Sequence, residues 1–249
     1  MIPAALPGNE ARRLAALRSY EILDSDPEEA FDDLTRVAAR ICRTPIALVS
    51  LVDEDRQWFK AKVGLEAAET PRSLAFCSHA ILEPNQLFVV NDAHSDDRFR
   101  DNPLVTGDPG VVFYAGAPLV TPEGMPLGTL CVIDHKPRDL TDADLETLRS
   151  LARATVGQLE LRKAALELRE ISTELARSNQ DLEERNGEIK RFYQTLSHEL
   201  KTPITVARDY VSMVLEGLWE RSPTNNADFS VLASRAAIAL PLTLTICWT

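Results

Sequence analysis

The run LSHELKTP brings a histidine, a carboxylate, a hydroxyl and a proline together between His198 and Pro203. An unperturbed imidazole has a pKa of about 6.5, so a neutral histidine nitrogen is a nucleophile near neutral pH. On a helix, Thr202 lies on the same face as His198 one turn on, where its hydroxyl can hydrogen-bond a phosphoryl group or an attacking water. Glu199 lies about 100° round the helix, placed to hold an imidazole N–H or to take up its proton. Pro203 removes the backbone hydrogen bond to the Glu199 carbonyl and predicts a bend beside the histidine. Leu196, Leu200, Ile204 and Val211 form an apolar stripe that excludes His198, so the spacing predicts a histidine open to a second protein.

A second group of candidates sits further upstream. Cys77-Ser78-His79 joins a thiol and an imidazole, and Trp58, Phe76 and Tyr114 are candidates to line a small-molecule pocket with them. Aromatic residues at such spacings more often fill a core. Cys131 and His135, four apart on an extended strand, stand roughly 13 Å from each other and are too far apart to share one ion. No metal site is expected.

The elements that position these residues can be read from the apolar pattern. NEARRLAALRSY puts Leu14 and Leu17 on one face of a short helix, and EEAFDDLTRVAARIC predicts a second helix with a stripe of Phe31, Leu34, Val37, Ala38 and Ile41. Strand-like runs follow at 46–53, 56–63, 87–92, 111–120 and 127–134. The turns Glu54-Asp55 and Thr121 to Pro126 suit hairpins between neighbours. Residues 73–82 read as a short helix and 94–110 as a long polar loop. From Thr141, which forms a capping pair with Asp144, the chain reads as helix. Leu161, Leu168, Leu175, Leu182, Ile189 and Leu196 recur every seven residues, a coiled-coil row. The companion row is polar at Ser172, Asn179 and Asn186, which predicts a soft parallel pairing able to shift between nearby packings.

Bulk properties narrow the function. With 27 Lys+Arg against 38 Asp+Glu the net charge is -11, which disfavours nucleic acid and anionic membranes as partners. No apolar run approaches the roughly 18 to 20 residues of a membrane span, and the N-terminus lacks a signal-peptide layout, so a cytoplasmic protein is expected. The scattered Cys42, Cys77, Cys131 and Cys247 are expected to be reduced thiols.

The segment TLSHELKTPIT, on a helix continuing a coiled-coil row, resembles the phosphoacceptor box of bacterial two-component sensor histidine kinases. The strings PIALVSLVDEDRQWFKAKVGL, AFCSHAI, NPLVTG and YAGAPLVTPEGMPLGTLCVID resemble the GAF domains that precede many such kinases. Together they imply an α+β GAF domain, an antiparallel sheet with flanking helices, over 1–160. A coiled-coil signalling helix over 161–190 and a partial dimerisation and phosphoacceptor hairpin over 191–249 would follow. They also imply a homodimer, a response regulator as partner and a small-molecule ligand for the GAF domain. By this resemblance His198 is the phosphoacceptor, Glu199 the acid/base partner and Thr202 the residue aiding dephosphorylation, in a protein histidine kinase. The alternative is a non-catalytic ligand-binding and dimerisation module with a remnant histidine.

ATP and Mg2+ are cofactors of the full-length kinase family, but only 46 residues (249 minus 203) follow Pro203, with Gly217 the only glycine among them. The chain is therefore expected to lack its own ATP site. Pro241 and the apolar, β-branched residues near the end fit poorly to a second hairpin helix, so a truncated or frame-shifted product past Trp219 is expected.

Overall fold

The computed structural model describes residues 1–215, which fall into two units divided after Glu170. In the first unit α1 (Glu10–Ser19) and α2 (Glu29–Cys42) precede the hairpin strands β1 (Ile46–Val52) and β2 (Arg56–Val63). Then come β3 (Glu69–Pro71), a 3-10 turn (Arg72–Leu74), α3 (Phe76–Ala80), β4 (Phe88–Val90) and α4 (Pro103–Thr106). β5 (Phe113–Val120) and β6 (Pro126–Asp134) form the second long hairpin, and α5 (Asp142–Leu215) follows.

The six strands form one antiparallel sheet in the order β3-β2-β1-β6-β5-β4. Both expected hairpins are present, and the join between them is β1 against β6, with Ile46 opposite Ile133. Gly128 permits this join, because a Cβ there would collide with the Ser50 carbonyl of β1. Every residue of β1 and β6 is buried, since both faces of the sheet are covered. Ala47, Val49 and Leu51 face a core shared with α1, α2 and the start of α5, including Leu17, Phe31, Ala38, Leu148 and Ala152. Ile46, Leu48 and Val52 face a second core with α3 and the segments around it, including Phe76, Ile81, Phe99 and Val111.

β2 changes phase along its length. Its register against β1 shifts between Val49 and Ser50, so Lys60 is an extra, bulged residue and Trp58 and Ala61 share the first core although three positions apart. The bulge turns Lys60 towards the segment before α2, where its fully buried ammonium donates to Ser25 Oγ (2.8 Å), the Asp26 carbonyl and Glu28 Oε1 (2.7 Å). Arg162 of α5 donates to the same Glu28 oxygen (2.8 Å) and to the Tyr20 carbonyl (2.7 Å). Thr141 and Asp144 cap α5 reciprocally, as expected from their spacing.

Several expectations need correction. The buried stripe of α2 is Phe31, Thr35, Ala38, Ala39 and Cys42, while Val37 and Ile41 are exposed, because the helix is rotated to put small residues against the sheet. The segment 94–110 is not wholly loop: Asn102 caps α4 by accepting from the Leu104 N–H (2.9 Å). β3 was not foreseen; its Glu-Thr-Pro sequence has no apolar alternation and forms only an edge on β2. In the second unit α5 runs on through Pro203, and the row from Leu161 to Ile189 is exposed in the single chain. The expected second hairpin helix, Pro241 and Cys247 lie outside the described residues.

The first unit also contains a buried ion network. Arg13, fully buried on α1, is held through two nitrogens by Glu10 (2.8 and 2.7 Å), and Glu10 also accepts from Arg72 (2.6 Å). Burial alone pushes the Glu10 carboxyl up, but hydrogen bonds and charge from Arg13 and Arg72 outweigh it and hold the group at about 2. This lowered value contributes stability that is fully present above the ordinary 4.5 and is lost as pH falls towards about 2. We expect Glu10→Gln to destabilise the chain by about 3 kcal/mol near neutral pH, since it strands a buried guanidinium. In urea denaturation the gap from the wild type should narrow steadily on acidification below about pH 4. A variant as stable as the wild type at neutral pH would refute the assignment.

Candidate functional site

On the second face of the sheet, β1, β2, β5 and β6 floor a cavity of about 430 Å³ walled by α3 and by the loops around Gly64–Ala67 and Asp108–Val111. Phe76 and Cys77 reach it from α3 and Tyr114 from β5. Phe76 stacks on Phe99 (3.9 Å between centroids) and on Tyr114 (5.2 Å). Tyr114 can fold over its own strand because the residue two places on is Gly116, where a Cβ would strike the tyrosine hydroxyl. That hydroxyl is thereby aimed at Cys77.

Cys77 is the centre of a fully buried polar cluster. The Tyr114 hydroxyl (3.2 Å) and the Thr129 hydroxyl (3.0 Å) both donate to its sulfur, and the two oxygens are 3.2 Å apart. Burial pushes the Cys77 thiol up, but the groups converging on it, Cys131 first, then Ser50, Thr129 and Tyr114, outweigh burial and bring it below the usual thiol range. Burial and the neighbouring Cys77 sulfur drive Cys131 the other way, well above the usual thiol range. Tyr114 is also raised, by burial and by the two sulfurs. Of the two thiols, Cys77 is therefore the one that ionises first, inside a wall of the cavity.

Of the residues proposed from the sequence for a pocket, the structure brings Phe76, Cys77 and Tyr114 to one cavity. Trp58 does not reach it, because it alternates with Gln57 and Phe59 along β2 and its ring joins the opposite core. His79 lies beyond the cavity lining, edge-on to Phe99 (4.9 Å) and stacked near Phe88 (6.0 Å). Burial, then the Arg98 charge, lowers its pKa. Sequence reading missed Gln57, Thr70 and Thr129. Gln57 and Phe59 share one parity of β2, and Thr129 and Cys131 one parity of β6, so a polar residue on an otherwise apolar inward face was the available signal.

His198, Glu199 and Thr202 lie in the second unit, all exposed on α5. His198 borders a shallow depression with Tyr193, Gln194, Ser197 and Lys201. Among the described residues no helix is long and apolar enough to cross a membrane.

A family model for the GAF domain matches residues 26–159, more than half of the 249-residue chain. A curated relative, a cyclic di-GMP phosphodiesterase of Pseudomonas aeruginosa, is 44% identical over 154 residues, covering 61% of this chain and 26% of the relative. The chain thus spans about a quarter of that relative's length. Among solved structures it is similar to the GAF domain of an Acinetobacter phosphoenolpyruvate-protein phosphotransferase (18% identity, 64% of this chain and 97% of that one, TM-score 0.47). It is also similar to the PixJ GAF domain of Thermosynechococcus elongatus in its blue-light-absorbing form (15% identity, 69% and 97%, TM-score 0.46). At these scores neither adds to what the family model shows. The expectation of a protein histidine kinase is corrected by the 44%-identical relative, which is a phosphodiesterase and an enzyme of another kind.

The Cys77 cluster has a direct spectroscopic consequence. We expect one thiolate to appear in ultraviolet titration with a midpoint below the ordinary thiol range. The signal should vanish in Cys77→Ser and move to higher pH in Thr129→Val, which removes a donor to the sulfur. Titration confined to the ordinary thiol range, about 8.5, would show that the donors do not act on Cys77.

Proposed function

The chain belongs to the GAF-domain family, and from that membership we propose that it is the sensory part of a signalling protein. A small molecule enters the cavity beside Cys77, and its occupancy is passed to α5. The observation that carries this reading is the shared Glu28. Phe59 lines the cavity, its neighbour Lys60 is bulged onto Glu28, and Glu28 holds Arg162 of α5. A shift of β2 on ligand entry therefore changes the packing of α5 by way of one carboxylate. The exposed row at Leu161, Leu168, Leu175, Leu182 and Ile189 supports a second copy of this chain as the partner that α5 presents its signal to. This is a ligand-binding and dimerisation module without catalysis of its own. That a phosphodiesterase aligns with it over 154 residues at 44% identity supports a portable input segment.

A screen of the whole chain against a metabolite library by thermal denaturation tests the first step. A ligand at about 100 times its Kd contributes about 2.7 kcal/mol, or roughly 5 to 10 °C for a unit of this size. We expect at least one such shift, abolished by Cys131→Phe, which fills the cavity. Hydrogen exchange around Arg162 should change on occupancy and stay unchanged in Arg162→Ala. Shifts that persist in the filled variant would place sensing elsewhere.

A second reading concerns the exposed His198, whose setting in LSHELKTP and outward position on α5 favour a phosphoryl acceptor served in trans. Glu199 would take up the imidazole proton and Thr202 would position the phosphoryl oxygens, with ATP and Mg2+ supplied on another protein and a response regulator as the recipient. Incubation with labelled ATP and a separate kinase ATP-binding domain should yield acid-labile, alkali-stable label that is absent in His198→Ala. No label with the added domain present would leave the histidine without this role.

A further inference from the structure

The lining of the cavity specifies the chemistry of its occupant, an inference that rests on the cavity being the sensory site. The walls are largely apolar, with Leu48, Phe59, Phe76 and Ile133 among them. Two polar atoms set into those walls can accept a hydrogen bond and have no partner. Gln57 is 95% buried (5% exposed), and its Oε1 has no donor; Thr70, its register partner across β2 and β3, has a buried hydroxyl oxygen without a partner. Both line the cavity. A buried acceptor without a donor is costly, and a ligand N–H is the group that relieves it.

The remaining charge has the same sign. Glu66 and Asp108 line the cavity, and no lysine or arginine does so among the described residues. Lys62, in β2 itself, does not line it, and its ammonium is held by the carbonyls of Glu66 and Ala67. His135 meets the Gly110 carbonyl through Nδ1 (3.2 Å), which makes that nitrogen the donor and leaves the other an acceptor in the neutral ring. The hydroxyl protons of Tyr114 and Thr129 are already given to the Cys77 sulfur. An anionic ligand, such as a cyclic nucleotide, would find acceptors and carboxylates where it needs donors.

We propose that the cavity takes a small, mainly apolar molecule that is cationic or neutral and presents N–H donors to Gln57 and Thr70, an aromatic amine being the simplest member of the class. The ammonium or N–H end sits against Gln57 Oε1 and Thr70 Oγ1, and the ring lies among Phe59, Phe76 and Tyr114, where stacking on an aromatic face is open to it.

Calorimetric titration of the full chain with tryptamine, indole-3-propionate and cyclic GMP separates the possibilities, because the first two share an indole and differ in the charge of the tail. We expect tryptamine to bind, to bind about tenfold more weakly in Gln57→Leu and in Thr70→Val, and to be excluded by Cys131→Phe. Indole-3-propionate and cyclic GMP should not bind. Two variants are used so that a folding defect in one, checked by its thermal melt, does not stand in for lost binding. Indole-3-propionate binding as tightly as tryptamine, or tryptamine affinity unchanged in both variants, overturns the ligand class and leaves cavity sensing in place. Binding of none of the three also overturns the class. The sensory reading itself then stands or falls separately, on whether any library ligand is lost in Cys131→Phe.

Discussion

The burial of the Lys60 ammonium is the constraint on which the arrangement of the first unit depends. A buried ammonium costs several kcal/mol unless its donors are met, and a lysine has three of them. Ser25, Asp26 and Glu28 supply one acceptor each, so the segment between α1 and α2 is fixed against β2. Glu28 then has capacity left for Arg162, which seats the first turns of α5 on the same core as α1 and α2. Burial pushes the Glu28 carboxyl up, and the two cations more than reverse it. One side chain therefore ties together a loop, a strand bulge and a helix that begins about a hundred residues later.

Much of this was legible in the sequence, and the reasons for the rest are physical. The four long strands and both hairpins follow from runs of Val, Ile and Leu interrupted by short polar turns. The join of β1 to β6 is a pairing between distant segments, and no local pattern encodes it; Gly128 is its one visible trace. β3 escaped notice because an edge strand needs backbone groups more than apolar side chains. Trp58 was assigned to the pocket from its aromatic type alone, and strand alternation puts it on the face opposite Gln57 and Phe59.

The functional residues divide along the same line. Phe76, Cys77 and Tyr114 converge although they come from a short helix and a strand, and the aromatic types together with the thiol beside His79 suggested it. Gln57 left only the trace of a polar residue beside Phe59 on an inward face, and the lack of a partner that makes it and Thr70 matter exists only once the fold has buried them. The kinase expectation came from a short local string. The relative aligned over 154 residues tests a much longer stretch of chain, and its chemistry is different. A motif of a few residues describes what a side chain can do, whereas a domain match describes which module surrounds the binding cavity.

The central β1–β6 ladder also bears on how the chain reaches this state. Ile46 and Ile133 are 87 positions apart (133 minus 46) and lie side by side in the middle of the sheet. Closing so long a loop precedes any reward from the contacts it makes, so the two hairpins form early and their union late. During synthesis the edge of β1 away from β2, apolar but for Ser50, stays unpaired until β6 has emerged. The segment IALVSLV is then the part of the chain most open to pairing with another copy, and folding yield is governed by how quickly its own partner arrives.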